Sequence, residues 1–467
     1  MEQSHPSSEP SSPEQDVQGA AQEGTGSGSL QPILAGITTA LVGFTSSSAI
    51  VIAGLRAVGA DLDQATSGLV ALCLVQGVGI IWLALRHRTP ITLAWSTPGA
   101  ALLAGAAGSS LTGASPGADP AAWSAAVGAF LIVAVLILLT GLWRGLSDLI
   151  ARIPAALAQA MLAGVLLPLC LAPVHALTVS PLAVAPVIVV WLVLLRLAPK
   201  WAVPTAFALA LVIAVAFAMG VGRSADASVA PAFALASMLP SVSLTMPSFT
   251  LGAVLGIAAP LYLVTMVSQN VPGVAVMRAN GFDVPWRESM LVTGMATAVA
   301  APAGGHAVNL AAISAALAAG PDAHPLRSRR WIAAVTCGCS YLVLAASAGA
   351  LTTLVAIAPE GLIEAVAGLA LIGAFGGALT SALKTAGQQT QAIVTMLVAA
   401  SGIVVFGVGA AFWALVAGLV VHALLERRST RETASDVSRF AGAASTAGQR
   451  DRGNGDHPER DGADAHR

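Results

Sequence analysis

Five polar side chains sit in stretches otherwise apolar enough to lie in a membrane. They are Thr97 in TPITLAWSTPGAALLAGAAG (residues 89–108), Gln269 and Asn270 in TMVSQNVPG (265–273), and His306 and Asn309 in PAGGHAVNLAAISAALAAG (302–320). Polar groups at that depth are costly unless they meet one another or line a cavity, so each marks a place where a ligand or a proton can be handled. His306 is the strongly ionisable member. Histidine, with an ordinary pKa of about 6.5, charges and discharges in the physiological range, so it can donate to an anion or carry a coupled proton. The competing reading is a satisfied structural hydrogen bond. For Ser46 and Ser47 in GFTSSS (43–48) the two readings stand level, because Ser and Thr readily bond back to their own helix. Asn309, one turn beyond His306, is placed either to cap a helix or to face a ligand.

The stretch 89–108 is hydrophobic enough to cross a membrane, yet it does not read as one helix. Residues 91–95 are β-branched and aromatic and favour an extended chain, whereas residues 99–107 are Ala- and Leu-rich and favour helix. Pro98 suits a first helical turn, and Ser96 or Thr97 can cap its free amides. A half-helix beginning at Thr97, Pro98 and Gly99 would present partial positive charge and N–H donors near mid-membrane, which suits an anionic group. Trp95, the last extended residue, could wall a planar apolar body. Residues 302–320 repeat the design, with a pivot at 304–309 and an Ala-rich run over 310–319. Paired breaks in two halves of a chain point to the binding site of a transporter built from inverted repeats.

The whole chain fits that frame. Its 467 residues are 56% hydrophobic and 10% charged, against about 25% charged in soluble domains, so the expectation is an all-α polytopic membrane protein. Apolar runs fall near 32–57, 65–85, 91–108, 121–143, 154–172, 181–197, 203–220, 250–277, 287–301, 305–320, 331–350, 361–383, 387–402 and 405–425. They read as fourteen transmembrane segments in a 7+7 inverted repeat, with spans 3 and 10 broken into a short strand plus a half-helix; the short runs at 287–301 and 387–402 leave twelve as the other count. With both termini cytoplasmic, fifteen of the 22 Lys and Arg fall on inner loops and span ends. Two, Arg56 and Arg223, fall outside, and the other five lie in the C-terminal tail. Trp82, Trp143, Trp201, Trp286 and Trp331 mark inner ends as an aromatic belt would. Residues 1–30 and 429–467 read as disordered cytoplasmic tails, with no signal peptide at the start.

The remaining groups read as structural. Cys73, Cys170, Cys337 and Cys339 lie in apolar runs as packing thiols. Glu364 and Lys384 flank span 12, and Arg144, Asp148 and Arg152 belong to an inner loop. No metal-ligand cluster, carboxylate pair or nucleophile–base arrangement appears in the spans, so neither an enzyme nor a metal or other cofactor is expected, nor a nucleic-acid partner.

Residues 31–36 (QPILAG), 43–47 (GFTSS), 92–99 (TLAWSTPG) and 303–313 (AGGHAVNLAAI) resemble the benzoate/proton symporter family, BenE, and the resemblance extends over about residues 31–428. That family is similar in architecture to nucleobase–ascorbate and SulP-type transporters. The resemblance implies a core domain of spans 1–4 and 8–11 (31–143 and 250–350) and a gate domain of spans 5–7 and 12–14 (154–220 and 361–428). It also implies proton-coupled uptake of benzoate or a related aromatic monocarboxylate across the inner membrane. Nucleobase carriers of this architecture use acidic residues where Gln269 and His306 stand here, and a carboxylate substrate would be repelled by such acids. The expected substrate-binding set is Phe44, Ser46, Ser47, Trp95, Thr97, Gly99, Gln269, Asn270, His306 and Asn309, with His306 the proton-coupling candidate. Another small anion, a nucleobase, or a passive anion channel of the same fold are the alternatives. Dimers are common in this architecture, so a homodimer is also an expectation.

Overall fold

A computed structural model describes residues 30–105, 119–146, 154–219, 240, 242–405 and 408–425. The two tails, apart from Leu30, lie outside the described residues, as do Asp148, Arg152 and Arg223.

The chain is predominantly helical. In order it forms α1 (Leu30–Ala57), α2 (Leu62–His87), strand β1 (Leu93–Trp95), α3 (Thr97–Gly105), α4 (Pro120–Leu142), α5 (Ala155–Val179), α6 (Pro181–Leu197) and α7 (Pro199–Ala218). It continues with α8 (Leu251–Ala279), α9 (Trp286–Ala300), strand β2 (Val308–Leu310), α10 (Ile313–Ala319), α11 (Trp331–Ile357), α12 (Leu362–Leu383), α13 (Gln389–Ala400), β3 (Val404–Val405), β4 (Val408–Gly409) and α14 (Ala410–Leu425). Among the described residues, eight helices are long and apolar enough to cross a membrane: α1, α2, α4, α5, α7, α8, α11 and α12. The helices α6, α13 and α14 are shorter and apolar.

Local chemistry sets the ends. Asp61 caps α2 in a reciprocal pair with Gln64, its carboxylate accepting from Gln64 N–H at 2.7 Å. Asp119 caps α4, whose first residue is Pro120. In α8, two π-turns, Val254–Ala258 and Met266–Asn270, each end two residues before a proline, Pro260 and Pro272. A proline has no N–H and its ring crowds the carbonyl four residues back, so the helix widens locally instead of breaking.

The breaks expected at spans 3 and 10 are present. Over the described residues α3 has nine residues and α10 seven, each short of the roughly 20 a spanning helix needs, and each follows a three-residue strand. The strands pair antiparallel, Leu93 opposite Leu310, Ala94 opposite Asn309 and Trp95 opposite Val308. Ser96 N–H to Ala307 O (2.8 Å) and Ala311 N–H to Thr92 O (3.0 Å) extend the ladder at both ends. One expectation shifts: the helical run placed at 310–319 starts only at Ile313, because this ladder takes the preceding residues. The antiparallel pairing of β3 with β4 before α14 adds to the expected elements.

Around this sheet, α2 packs on α11, α4 on α9, α1 on α3 and α11, and α5 on α12 and α13. The largest fully buried side chains include Trp95 on β1 and the ring pair Trp123 and Phe130 on α4.

Candidate functional site

Ser96 is the hub. Its backbone N–H holds Ala307, its carbonyl accepts from His306 Nε2 at 3.1 Å, and its hydroxyl accepts from Gly99 N–H at 3.1 Å, capping α3. The same hydroxyl accepts from Thr265 of α8 at 2.9 Å. One serine therefore ties the start of α3 to both β2 and α8. Gly99 is buried, and a Cβ there would run into Leu261 and lie 2.8 Å from Ser96 Oγ, so a larger residue would have to displace the capping side chain or Leu261.

His306 is fully buried, edge-on to Phe130 with ring centroids 6.4 Å apart. Its bond to a carbonyl makes Nε2 the protonated nitrogen, which leaves Nδ1 as an acceptor with no partner among the described residues. It does not stand at the start of the second half-helix: β2 intervenes.

Asn270 and Thr297 complete β2. Asn270 Oδ1 accepts from Leu310 N–H at 2.8 Å, and Thr297 Oγ1 accepts from Val308 N–H at 3.0 Å. These N–H groups point away from β1 and would otherwise be stranded in an apolar interior, so both side chains do the work of a third strand. Asn309, expected to cap α10 or face ligand, lies within β2 instead. Its amide donates to Leu310 O at 2.8 Å and its Oδ1 is buried without a partner, while the residue before α10, Ala312, gives no side-chain cap.

On the side of α1, Trp95 Nε1 donates to Ser47 Oγ at 2.8 Å, and the Trp95 ring meets Phe44 and Tyr341 edge-on at 6.1 and 5.9 Å. All three rings are buried. Ser46 and Ser47 also bond back to Gly43 O, at 3.2 and 2.8 Å. Thr97 and Gln269 differ from the rest. Both are half-buried, and neither side chain has a hydrogen-bond partner among the described residues. Thr97 follows Ser96 on α3, and Gln269 lies one turn along α8 from Thr265, the residue that touches Ser96.

This arrangement holds donors and a helix start in fixed positions and offers no nucleophile–base pair. The family model described as benzoate membrane transport protein, BenE, matches residues 27–424. The chain belongs to the BenE family. The inner membrane protein YdcO of Escherichia coli is 37% identical over 393 residues, covering 84% of this chain and 95% of the relative. The benzoate membrane transport protein of Acinetobacter baylyi is 28% identical over 398 residues, covering 85% and 95%. The fold is similar to the transmembrane domain of the cyanobacterial bicarbonate transporter BicA, with TM-score 0.53 and 14% identity over 83% of this chain and 97% of that one. It is also similar to SLC26A9, with TM-score 0.57 and 11% identity over 88% and 67%. At those identities the likeness speaks for fold alone. This BenE chain is a membrane transporter and not an enzyme.

Of the residues singled out in the BenE sequence, Trp95, Ser47 and Phe44 come together on one side of β1, and His306, Asn270 and Asn309 gather at β2. The sequence reading missed Thr265, Thr297 and Tyr341. Thr297 carries a signal: with Thr293 it makes an i, i+4 pair of fully buried threonines on α9, a polar stripe on an apolar helix.

Proposed function

We propose that this chain imports benzoate or a related aromatic monocarboxylate together with protons across the inner membrane, with both termini in the cytoplasm. The observation that carries the reading is the β1–β2 pairing. It holds the capped start of α3 beside α8, and Thr97 at that start and Gln269 on α8 keep half-buried, uncommitted side chains. A carboxylate bound there would accept from Thr97 and Gln269, the Gly99 and Ala100 amides being held by Ser96. Its ring would lie toward Phe44 and Trp95, with Ser46 and Ser47 behind, and Asn270 and Asn309 would hold β2. His306 would take the coupled proton on Nδ1, its uncommitted ring atom, when the core opens to water.

In the same proposal the chain forms fourteen spans in two inverted sets of seven, with a core of spans 1–4 and 8–11 moving against a gate of spans 5–7 and 12–14. The packing supports it: exchanging each span with the one seven further on turns the α4–α9 contact into α11–α2, and both contacts occur. The α5–α12 contact maps onto itself.

Uptake of labelled benzoate into proteoliposomes, with and without an imposed pH gradient, tests the function. The expected result is accumulation stimulated by the gradient and resistant to competition by a purine, sulfate or bicarbonate. Equilibration without accumulation would favour a passive channel, and displacement by a competitor would reassign the substrate. His306→Gln keeps a donor for the Ser96 carbonyl but no titrating group, so it should transport without gradient stimulation; unchanged stimulation would remove His306 from the coupling.

A further inference from the structure

Residues 242–250, which lead into α8, run extended and fasten three helices along one edge. Ser67 Oγ of α2 accepts from Ser243 N–H at 2.8 Å and donates to Ala303 O at 2.8 Å. Thr245 donates its N–H to Pro302 O at 2.8 Å, and its hydroxyl accepts from Trp123 Nε1 of α4 at 2.9 Å. Ser124 donates its hydroxyl to Met246 O at 2.6 Å and accepts Ser248 N–H on its carbonyl at 2.9 Å. The alternate side chains point the other way: Val242, Leu244 and Met246 are 61, 75 and 84% exposed, and Phe249 and Leu251 continue the row at 64 and 74%.

The depth of this row decides what it meets. Ser67 is five residues inside the start of α2 and Ser124 four inside the start of α4. The strap then descends to Gly128, where a Cβ would collide with the Ser248 carbonyl, so only glycine admits it. At 1.5 Å per residue the strap lies roughly 6–12 Å below the helix ends, where outward apolar side chains face acyl chains or protein. Non-helical backbone at that depth needs its polar groups engaged by protein; the inward bonds engage the Ser243, Thr245 and Ser248 N–H groups and the Met246 carbonyl, and Pro247 has no N–H to satisfy. The row also continues an apolar surface on α9, where Met295 and Val299 are exposed just before Pro302.

We propose that residues 242–251 form a lipid-facing strap: its apolar row lies in the acyl-chain region of the leaflet at this end of the spans, and its polar edge binds α2, α4 and the end of α9 into one body. The proposal is independent of the substrate.

The test is nitroxide labelling of Leu244→Cys and, separately, Met246→Cys in the full chain, with Cys339 and Cys170 replaced by Ser, reconstituted in phosphatidylcholine–phosphatidylglycerol vesicles. Labels at Val299→Cys and Glu360→Cys serve as the lipid-facing and loop references. The expected result is collision with oxygen and loss of collision with a water-soluble nickel chelate, matching position 299. Nickel accessibility matching position 360 would overturn the proposal. So would loss of both collisions, which would mean that protein, such as a second copy of the chain, covers the strap.

Discussion

In the first broken crossing, Ser96 caps the nine-residue α3 and Trp95 is tied sideways to Ser47 of α1. In the second, the seven-residue α10 starts at an uncapped Ala312, and the ties fall elsewhere. Asn270 and Thr297 hold the strand before it, and the buried Arg330 donates to Ala319 O at its far end (2.7 Å) and to His324 O (2.8 Å). One crossing fixes the amino end of its half-helix. The other fixes its strand and the carboxyl end of its half-helix, where a cation suits the helix dipole. Under the proposed function the difference becomes a division of labour: the first crossing would present donors to a ligand, and the second would be the frame that keeps the first in place and carries His306.

If that division holds, the largest effect should come from breaking the frame. Asn270→Leu strands the Leu310 N–H in the interior at about 1–3 kcal/mol, so the melting temperature in detergent should fall and uptake with it. An unchanged melting temperature would deny β2 its role. Gln269→Glu comes next and acts on binding alone. A fixed carboxylate roughly 5 Å from a bound one repels it by about 3 kcal/mol at an effective dielectric constant near 20, so KM for benzoate should rise at least about tenfold with folding intact; equal affinity would move the ligand elsewhere. Thr97→Val removes one donor worth about 0.5–1.5 kcal/mol, raising KM about two- to tenfold, while Thr97→Ser stays near wild type. The smallest effect belongs to Ser47→Ala, about 1 kcal/mol of stability read from chemical denaturation, because Phe44 and Tyr341 still hold the Trp95 ring. A loss equal to that of Asn270→Leu would erase the contrast between the crossings.

Much of this was legible in the residues. Composition points to the membrane class, and the switch from β-branched residues at 91–95 to Ala and Leu after Gly99 locates the first break, with Ser96 or Thr97 as its cap; the structure selects Ser96. The second break was located, but its helix start was placed three residues early. An Ala-rich run looks helical from Leu310 on, and only the long-range ladder to Thr92 and Leu93 makes residues 308–311 extended. For the same reason Asn309 looked like a cap, and Asn270 showed no sign of a commitment to a backbone amide forty residues away. Propensity acts locally, and pairing between crossings does not. Thr265 opens the polar cluster that holds Gln269 and Asn270, but its partner Ser96 lies 169 residues away and leaves no local trace.

The most direct test of the central claim is an experimental structure with 4-bromobenzoate, the ligand located by its anomalous bromine signal. The account predicts the carboxylate within hydrogen-bond distance of the Thr97 hydroxyl and the Gln269 amide, at the start of α3, with bromine on the side of Phe44 and Trp95. Bromine density away from the paired strands, with Thr97 and Gln269 untouched, would contradict it.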